Sequence, residues 1–504
     1  MTVTTPIDRT PVSVTTTSGP VEGHHRRGIA EFLGVPYAAP PARARRFEAP
    51  ARPGPWTGTR PAHSYAPVSP QVPTYGPVGT AAASGLNAGE GPLTLNVRTP
   101  AVDGQAPVIV WVHGGGYAVG SGSEQVLRSA AFARSGVVEV TPNYRLGAIG
   151  LLYLGEGRPA NRSLLDLIAV LEWVRDNIAR FGGDPARVTL AGRSAGGFAV
   201  ATLMAMPAAR GLFRQTLVQS GASPAHLPIQ TAERITGLFC RELGVTPDEL
   251  PGVPVGRLLL AQKVLCDDAY NNHRIELYGE GVAIGLPFQP VVDGVTLPDT
   301  PEAAVAAGAA AGVSMLIGTT TGEAVTHATV HGELTDEDVL RLVRPRVQAA
   351  GADAASVVAG YRGLFPAAPG KAVWTELVGD LVFQLPSNRF AAAHAPHGTV
   401  RKYLYGEVAA AGGGVPHGGE VGAIWRDPDG PAPGVPDRFR PRHSGLADRV
   451  HQAWVSFVTD GAPVADGWPV APVFDPAQAE LLHITPTGTV VAADRYQPRL
   501  HLWS

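Results

Sequence analysis

The sequence predicts an α/β protein: a large, mostly parallel central sheet flanked by helices, with an N-terminal antiparallel β portion and helical cap insertions. Three observations predict it. Short apolar runs without alternation recur, PVIVWV (107–112), VVEVTP (137–142), RVTL (187–190), TLVQS (216–220) and SMLIG (314–318), and such runs suit strands covered on both faces. A stretch of helical period lies between the second and third. The first hundred residues differ, being rich in Pro and Gly.

In chain order, VSVTTTSGPVEG reads as an antiparallel hairpin turning at Ser18–Gly19, because small turn residues separate two β-branched runs. In SLLDLIAVLEWVRDNIARFGGDP, residues Leu164, Leu167, Ile168, Leu171, Val174 and Ile178 recur at helical spacing and Gly182–Gly183 stops the helix. Strand, helix, strand is the rhythm of a parallel sheet. Two stretches, about 228–285 and 333–398, are rich in Ala, Leu and Arg and fall between sheet elements; they are expected to be helical insertions capping the sheet. With no repeat period and no clear linker, residues 1–504 read as a single domain.

Composition excludes several function classes. Hydrophobic content of 44% with 16% charged residues describes a globular interior. A net charge of −3, without a long basic run, is no footprint for nucleic acid or an acidic membrane. Nowhere do about 18 apolar residues run together, so no bilayer span is expected. The segment MTVTTPIDRTPVSVTTTSG lacks the charged-then-apolar pattern of a signal peptide. Cys240 and Cys266 are too few for a disulfide framework and read as reduced thiols, with a single bridge as the alternative. A cytoplasmic protein is the expectation.

The chemistry centres on Ser194. RVTL feeds into AGRSAGG, and FAVATLMAM continues as an apolar helical run. Strand, sharp turn and helix form the context of a G-x-S-x-G nucleophile elbow. Gly192 and Gly196 are needed there because strand and helix backbones crowd the serine. Upstream, PVIVWV ends in HGGGYAVGSGS (113–123). Glycines directly after a buried strand free backbone N–H groups to point into a cleft, where they can stabilise an oxyanion. No Lys-Ser/Thr follows and no G-x-G-x-x-G is met, so a phosphate loop does not fit.

A serine hydroxyl needs a base and an orienting acid. With 15 histidines and 43 acids, selection by position alone is open. Glu323, after SMLIGTTTG, and His417, in GGGVPHGGE after KYLYGE, sit where strand ends are expected; His226, His273, His327 and His394 compete. Neither H-E-x-x-H nor a cysteine–histidine cluster occurs, so no metal or organic cofactor is implied.

Many stretches, in order, resemble the type-B carboxylesterases, the α/β-hydrolase family that includes para-nitrobenzyl esterases and cholinesterases. They include FLGVPYAAPPARARRF (32–47), VIVWVHGGGYAVGS, NYRLGAIGLL (143–152), LVQSG (217–221), FQPVVDGVTLP (288–298) and WVSFVTDGAPVADGWP (454–469). The resemblance spans roughly residues 12–470. It implies an α/β-hydrolase fold and a small-molecule ester substrate. It further implies Ser194 as nucleophile, Glu323 as acid, His417 as base, and Gly115, Gly116 and Ala195 as oxyanion-hole donors. By the same resemblance Ser220 supports the triad and Arg46 pairs with Glu90. Tyr117, Phe288 and Trp425 are pocket aromatics by motif neighbourhood, with core packing as their other role.

The chain departs from the family pattern at several points. G-E-S-A-G is here GRSAG, so Arg193 replaces a carboxylate; Thr321–Gly322 replaces the usual Arg-Asp before the acid; Ser69 and Pro92 stand where relatives from oxidising compartments have cysteines. Arg193 either pairs with a nearby carboxylate or faces the cleft and favours an anionic ester. The expected activity is ester hydrolysis through an acyl-enzyme. The alternatives are the same triad acting on amide, carbamate, lactone or thioester bonds or in acyl transfer, and a non-catalytic binding member of the family.

Overall fold

The computed structural model describes residues 10–72, 74–75, 78–79, 91–222, 225–426 and 444–503. The N-terminal hairpin forms as expected: β1 (Pro11–Thr15) pairs antiparallel with β2 (Pro20–Arg26), and β2 with β3 (Ile29–Pro36). Besides the two-residue strand Arg60–Pro61, which pairs parallel with β2 off the main path, the remaining strands of the main sheet are β4 (Thr94–Thr99), β5 (Ala106–Val112), β6 (Val138–Pro142), β7 (Gly183–Arg193), β8 (Gln215–Gln219), β9 (Ser314–Thr320), β10 (Val400–Tyr405), β11 (Glu480–Thr485) and β12 (Gly488–Ala493). Their spatial order is β1-β2-β3-β4-β6-β5-β7-β8-β9-β10-β11-β12. The run from β6 to β11 is parallel, and antiparallel pairs flank it on both sides. The mostly parallel α/β architecture is therefore present.

Each apolar run is a strand because its side chains are covered on both faces. Val108, Val110 and Val112 belong to one buried cluster, while Ile109 and Trp111 belong to another on the opposite face. The predicted strand at 187–190 is longer than its apolar run: β7 begins at Gly183 and pairs with β5 through a register shift between Gly183 and Val188. The predicted helix is α1 (Arg162–Asn177); a single 3₁₀ turn, Ile178–Phe181, follows it, and Gly182 at φ 75° ends that turn.

Both expected insertions are helical. The first holds α3 (Ile229–Leu243) and α4 (Val255–Asn272). The second holds α6 (Asp336–Ala349), α7 (Ala354–Leu364), α8 (Gly370–Gly379) and α9 (Leu385–His394). Between β7 and β8 lies α2 (Ala195–Ala205), every residue of which is buried; α5 (Pro301–Ala306) packs beside it. A capping box, Thr335 with Asp338, starts α6: each satisfies a backbone amide that the first helical turn leaves free.

Cys240 and Cys266 are free and buried. A Cβ built at Gly91 would lie 3.0 Å from Ser69 Cα, so residues 69 and 91–92 are apposed. Ser69 instead donates its hydroxyl to the Tyr144 carbonyl at 2.6 Å. Among the described residues, no helix is long and apolar enough to cross a membrane.

Candidate active site

Ser194 sits between the last residue of β7 and the first of α2, with φ 57° and ψ −128°. Such a backbone costs an ordinary residue on the order of 1–3 kcal/mol and persists only where its surroundings enforce it. They do so here by crowding. A Cβ on Gly192 would come within 2.5 Å of Gly196, one on Gly196 within 2.1 Å of the Val112 carbonyl, and one on Gly197 within 2.8 Å of Gly221 Cα. The Ser194 amide donates to the Gln219 carbonyl at 2.9 Å, fixing the turn to β8.

The HGGG loop leaves β5 directly opposite. Gly115, at φ 116°, accepts from Ala118 and Val119 at 3.1 Å each, and a Cβ there would strike the Val119 carbonyl at 2.1 Å. Gly116 has φ 60°. A Cβ on Gly114 would lie 3.1 Å from Ser194 Cβ, so the loop lies against the serine. His113 braces it: Nδ1 is 2.9 Å from the Gly114 carbonyl, the ring stacks on Tyr144 at 4.5 Å, and burial holds its pKa down at about 4. Ala195, the first helical residue of α2, has an amide without an intrahelical acceptor.

Glu323 follows β9, and His417 lies in the loop after β10. Glu323 Oε2 is 2.5 Å from His417 Nδ1, while Oε1 accepts from the Ser220 hydroxyl at 2.6 Å and the Thr320 amide at 2.7 Å. Burial works to raise the Glu323 pKa, but His417, Ser220 and Thr320 together hold it below the usual carboxylate value. The Phe383 ring lies 4.5 Å from that of His417, tilted by 31°. The unusual dipeptide stitches the two loops together. Gly322 donates to the Val415 carbonyl at 2.9 Å, Thr321 Oγ1 accepts from the Val415 amide at 3.0 Å, and a Cβ on Gly322 would meet the Gly413 carbonyl at 2.6 Å.

Two of the competing histidines, His273 and His394, are held by backbone carbonyls. His226 lines a recess of about 390 Å³ with Thr202, Glu302 and Arg389. His273 Nδ1 is 3.1 Å from the Ala269 carbonyl, and His394 Nε2 is 2.8 Å from the Val313 carbonyl. His327 stands near Glu323 and His417 and is pushed well below the usual imidazole range, first by burial and then by the His417 and Arg346 charges. Ser194, the HGGG loop, Ser220, Glu323 and His417 all lie at the carboxyl ends of parallel strands, where open α/β sheets place their ligands.

These features have counterparts in known proteins. The carboxylesterase family profile matches residues 10–503. The chain belongs to the carboxylesterase family. It is 33% identical to the para-nitrobenzyl esterase of Bacillus subtilis over 468 residues, covering 90% of this chain and 92% of that one. It is also 33% identical to a phenmedipham hydrolase of Pseudarthrobacter oxydans, covering 96% and 97%. A solved para-nitrobenzyl esterase structure superposes with a TM-score of 0.83 at 29% identity, covering 98% of this chain and 99% of the other. A carboxylesterase structure from Geobacillus stearothermophilus gives 0.81 at 29% identity, covering 98% and 100%. This carboxylesterase is accordingly an α/β-hydrolase that cleaves carboxylic esters with a serine-dependent site.

Three sequence expectations need correction or comment. Trp425 is core: it is 1% exposed, meeting Trp111 edge-to-face at 5.3 Å and Phe132 at 5.0 Å. Phe288 and Tyr117 are likewise buried, Phe288 against Phe239 and Tyr117 tilted towards Phe198. Glu90, the expected partner of Arg46, lies outside the described residues; Arg46 donates to the Val253 carbonyl at 2.7 Å.

Arg193 has carboxylates within electrostatic reach. Its charge acts against the burial that raises the pKa values of Glu124 and Glu420. Glu420 was not singled out in the sequence. It is fully buried, neither carboxylate oxygen has a hydrogen-bond partner among the described residues, and burial with the Glu323 charge pushes it to about 7. Its position three residues after His417, in HGGE, was the available signal.

Proposed function

We propose that Ser194, His417 and Glu323 form the catalytic triad of a small-molecule carboxylesterase. The carrying observation is the Glu323–His417 contact, Nδ1 to Oε2 at 2.5 Å, at the strand ends that display Ser194. With Nδ1 held by the acid, Nε2 is the nitrogen left to take the Ser194 proton. Oγ attacks the ester carbonyl carbon, and the oxyanion is held by the amides of Gly115, Gly116 and Ala195. His417 then passes the proton to the leaving alcohol. Water, deprotonated by the same imidazole, releases the acid and restores Ser194. Residues 1–504 act as one catalytic unit in this reading.

A fluorophosphonate probe tests it. The expected label is on Ser194, with Ser194→Ala losing on the order of 10⁴-fold or more in kcat on p-nitrophenyl acetate. A label on another serine moves the site. The runner-up chemistry, the same triad acting on a carbamate, amide, lactone or thioester, has one observation on its side: an equally similar relative is named for phenmedipham hydrolysis. A matched panel of p-nitrophenyl esters and carbamates separates the two.

A further inference from the structure

A second serine meets a second imidazole away from the triad. Ser135 follows the short helix Ala131–Arg134, just before β6, and its side chain is exposed. Its Oγ lies 2.9 Å from Nε2 of His451, on the helix Ser444–Asp460. His451 itself is 6% exposed, and its Nδ1 is 2.8 Å from the Ile424 carbonyl. A carbonyl only accepts, so Nδ1 carries the ring proton and Nε2 turns its lone pair towards Ser135. The Ser135 hydroxyl is therefore the donor.

The imidazole is both positioned and kept as a free base. Phe132 packs edge-on against it at 5.1 Å. Burial lowers its pKa against the pull of the Ile424 carbonyl, and the charges of Arg426 and Arg134 act in the same direction as burial. Ser135 precedes the amino end of β6, whereas the triad lies at carboxyl strand ends. The local amides are already spent: those of Ser135 and Val137 donate to the Phe132 carbonyl, and that of Gly136 to the Ala133 carbonyl. A hydroxyl reachable from solvent thus has an oriented base but no backbone donors for an oxyanion.

We propose that Ser135 and His451 form a second nucleophilic pair, an acylation site that takes one acyl group from an activated aryl ester and holds it. Oγ bonds to the carbonyl carbon and the bond from that carbon to the aryl oxygen breaks. The serine proton passes to His451 Nε2 and from there to the departing aryloxide. General-base help of this kind is worth about 10²–10⁴-fold. Release is slower than uptake, because the serine oxygen is a poorer leaving group than an aryloxide and the oxyanion has no donors. The pair therefore accumulates an acyl group and does not rival Ser194 in turnover.

The test uses Ser194→Ala, which removes the triad nucleophile, incubated with p-nitrophenyl acetate and mapped by peptide mass spectrometry. Acetyl is expected on Ser135 at about tenfold or more the rate of the other exposed hydroxyls, and to stay there after the ester is removed. The rate should be level from pH 7 to pH 9, since the base is already neutral, whereas an unassisted serine gains about tenfold per pH unit through its alkoxide. His451→Gln in the same background is expected to slow acetylation of Ser135 by about tenfold or more. Acetylation no faster than at other exposed hydroxyls, or rising steadily with pH, overturns the proposal without any His451 variant having to fold. An undiminished rate in a folded His451→Gln overturns it as well. Because Ser194 is absent throughout, none of these outcomes bears on the triad reading.

Discussion

Ser220 donates its hydroxyl to Glu323 Oε1 at 2.6 Å, on the opposite side of the carboxylate from His417. The bond does two things: it compensates a buried charge, and it orients the oxygen that faces the imidazole. Ser220→Ala is expected to cost about 1–3 kcal/mol at pH 7. Glu323 has a folded pKa below its unfolded one, so its stabilisation is present above the unfolded value, near 4.5, and is lost as pH falls through the folded value. The cost of Ser220→Ala measured by urea unfolding should therefore be larger at pH 7 than at pH 3. The acidic limb of the kcat/KM profile should also move upward.

Gly196 separates crowding from chemistry. A Cβ there would stand 2.1 Å from the Val112 carbonyl and 2.8 Å from that of His113, both rigid backbone. Gly196→Ala is expected to lose about 1–3 kcal/mol of stability. It should lose more in activity, on the order of 10²-fold in kcat, because the start of α2 and the HGGG loop are forced apart. Wild-type kcat in a folded Gly196→Ala would remove the close-packed elbow from the account.

Much of this site was legible in the sequence because backbone crowding leaves a compositional trace. Gly192, Gly196 and the HGGG run are glycines for reasons of space and φ, and those reasons act locally along the chain. Glu323 and His417 are 94 residues apart, and nothing local distinguishes them from the other acids and histidines; the ordered family motifs were needed. Trp425 shows the opposite case, with pocket and core both left open by its neighbourhood. Site aromatics and core aromatics both follow the ends of the same strands, so motif neighbourhood cannot say on which side of the sheet a ring falls.

Glu420 is expected to make the fold less stable as pH rises through neutrality. Its folded pKa, about 7, lies above the ordinary 4.5. A carboxyl raised in this way adds no penalty below its unfolded value; the cost of ionising it grows from there and is complete above about pH 7. Glu420→Gln keeps the shape and removes the titration. It should raise the unfolding free energy at pH 8.5 by on the order of 3 kcal/mol and change it little at pH 4.5. Equal effects at both pH values would show that the carboxyl is not the source.

Arg193 supplies the partner experiment. The guanidinium opposes ionisation penalties at Glu420 and Glu124, so Arg193→Gln should raise both carboxyl pKa values further. The variant is then expected to lose stability above pH 7 and to lose less near pH 4.5, where both acids approach neutrality. If the effect runs through Glu420, it shrinks when Arg193→Gln is made in the Glu420→Gln background, and the coupling in that double-mutant cycle measures the interaction. Additive losses at pH 8.5 would instead assign Arg193 to Glu124, or to the cleft; p-nitrophenyl half-esters set against their methyl-capped neutral counterparts distinguish the two, because only a cleft-facing cation changes the ratio of the two rates.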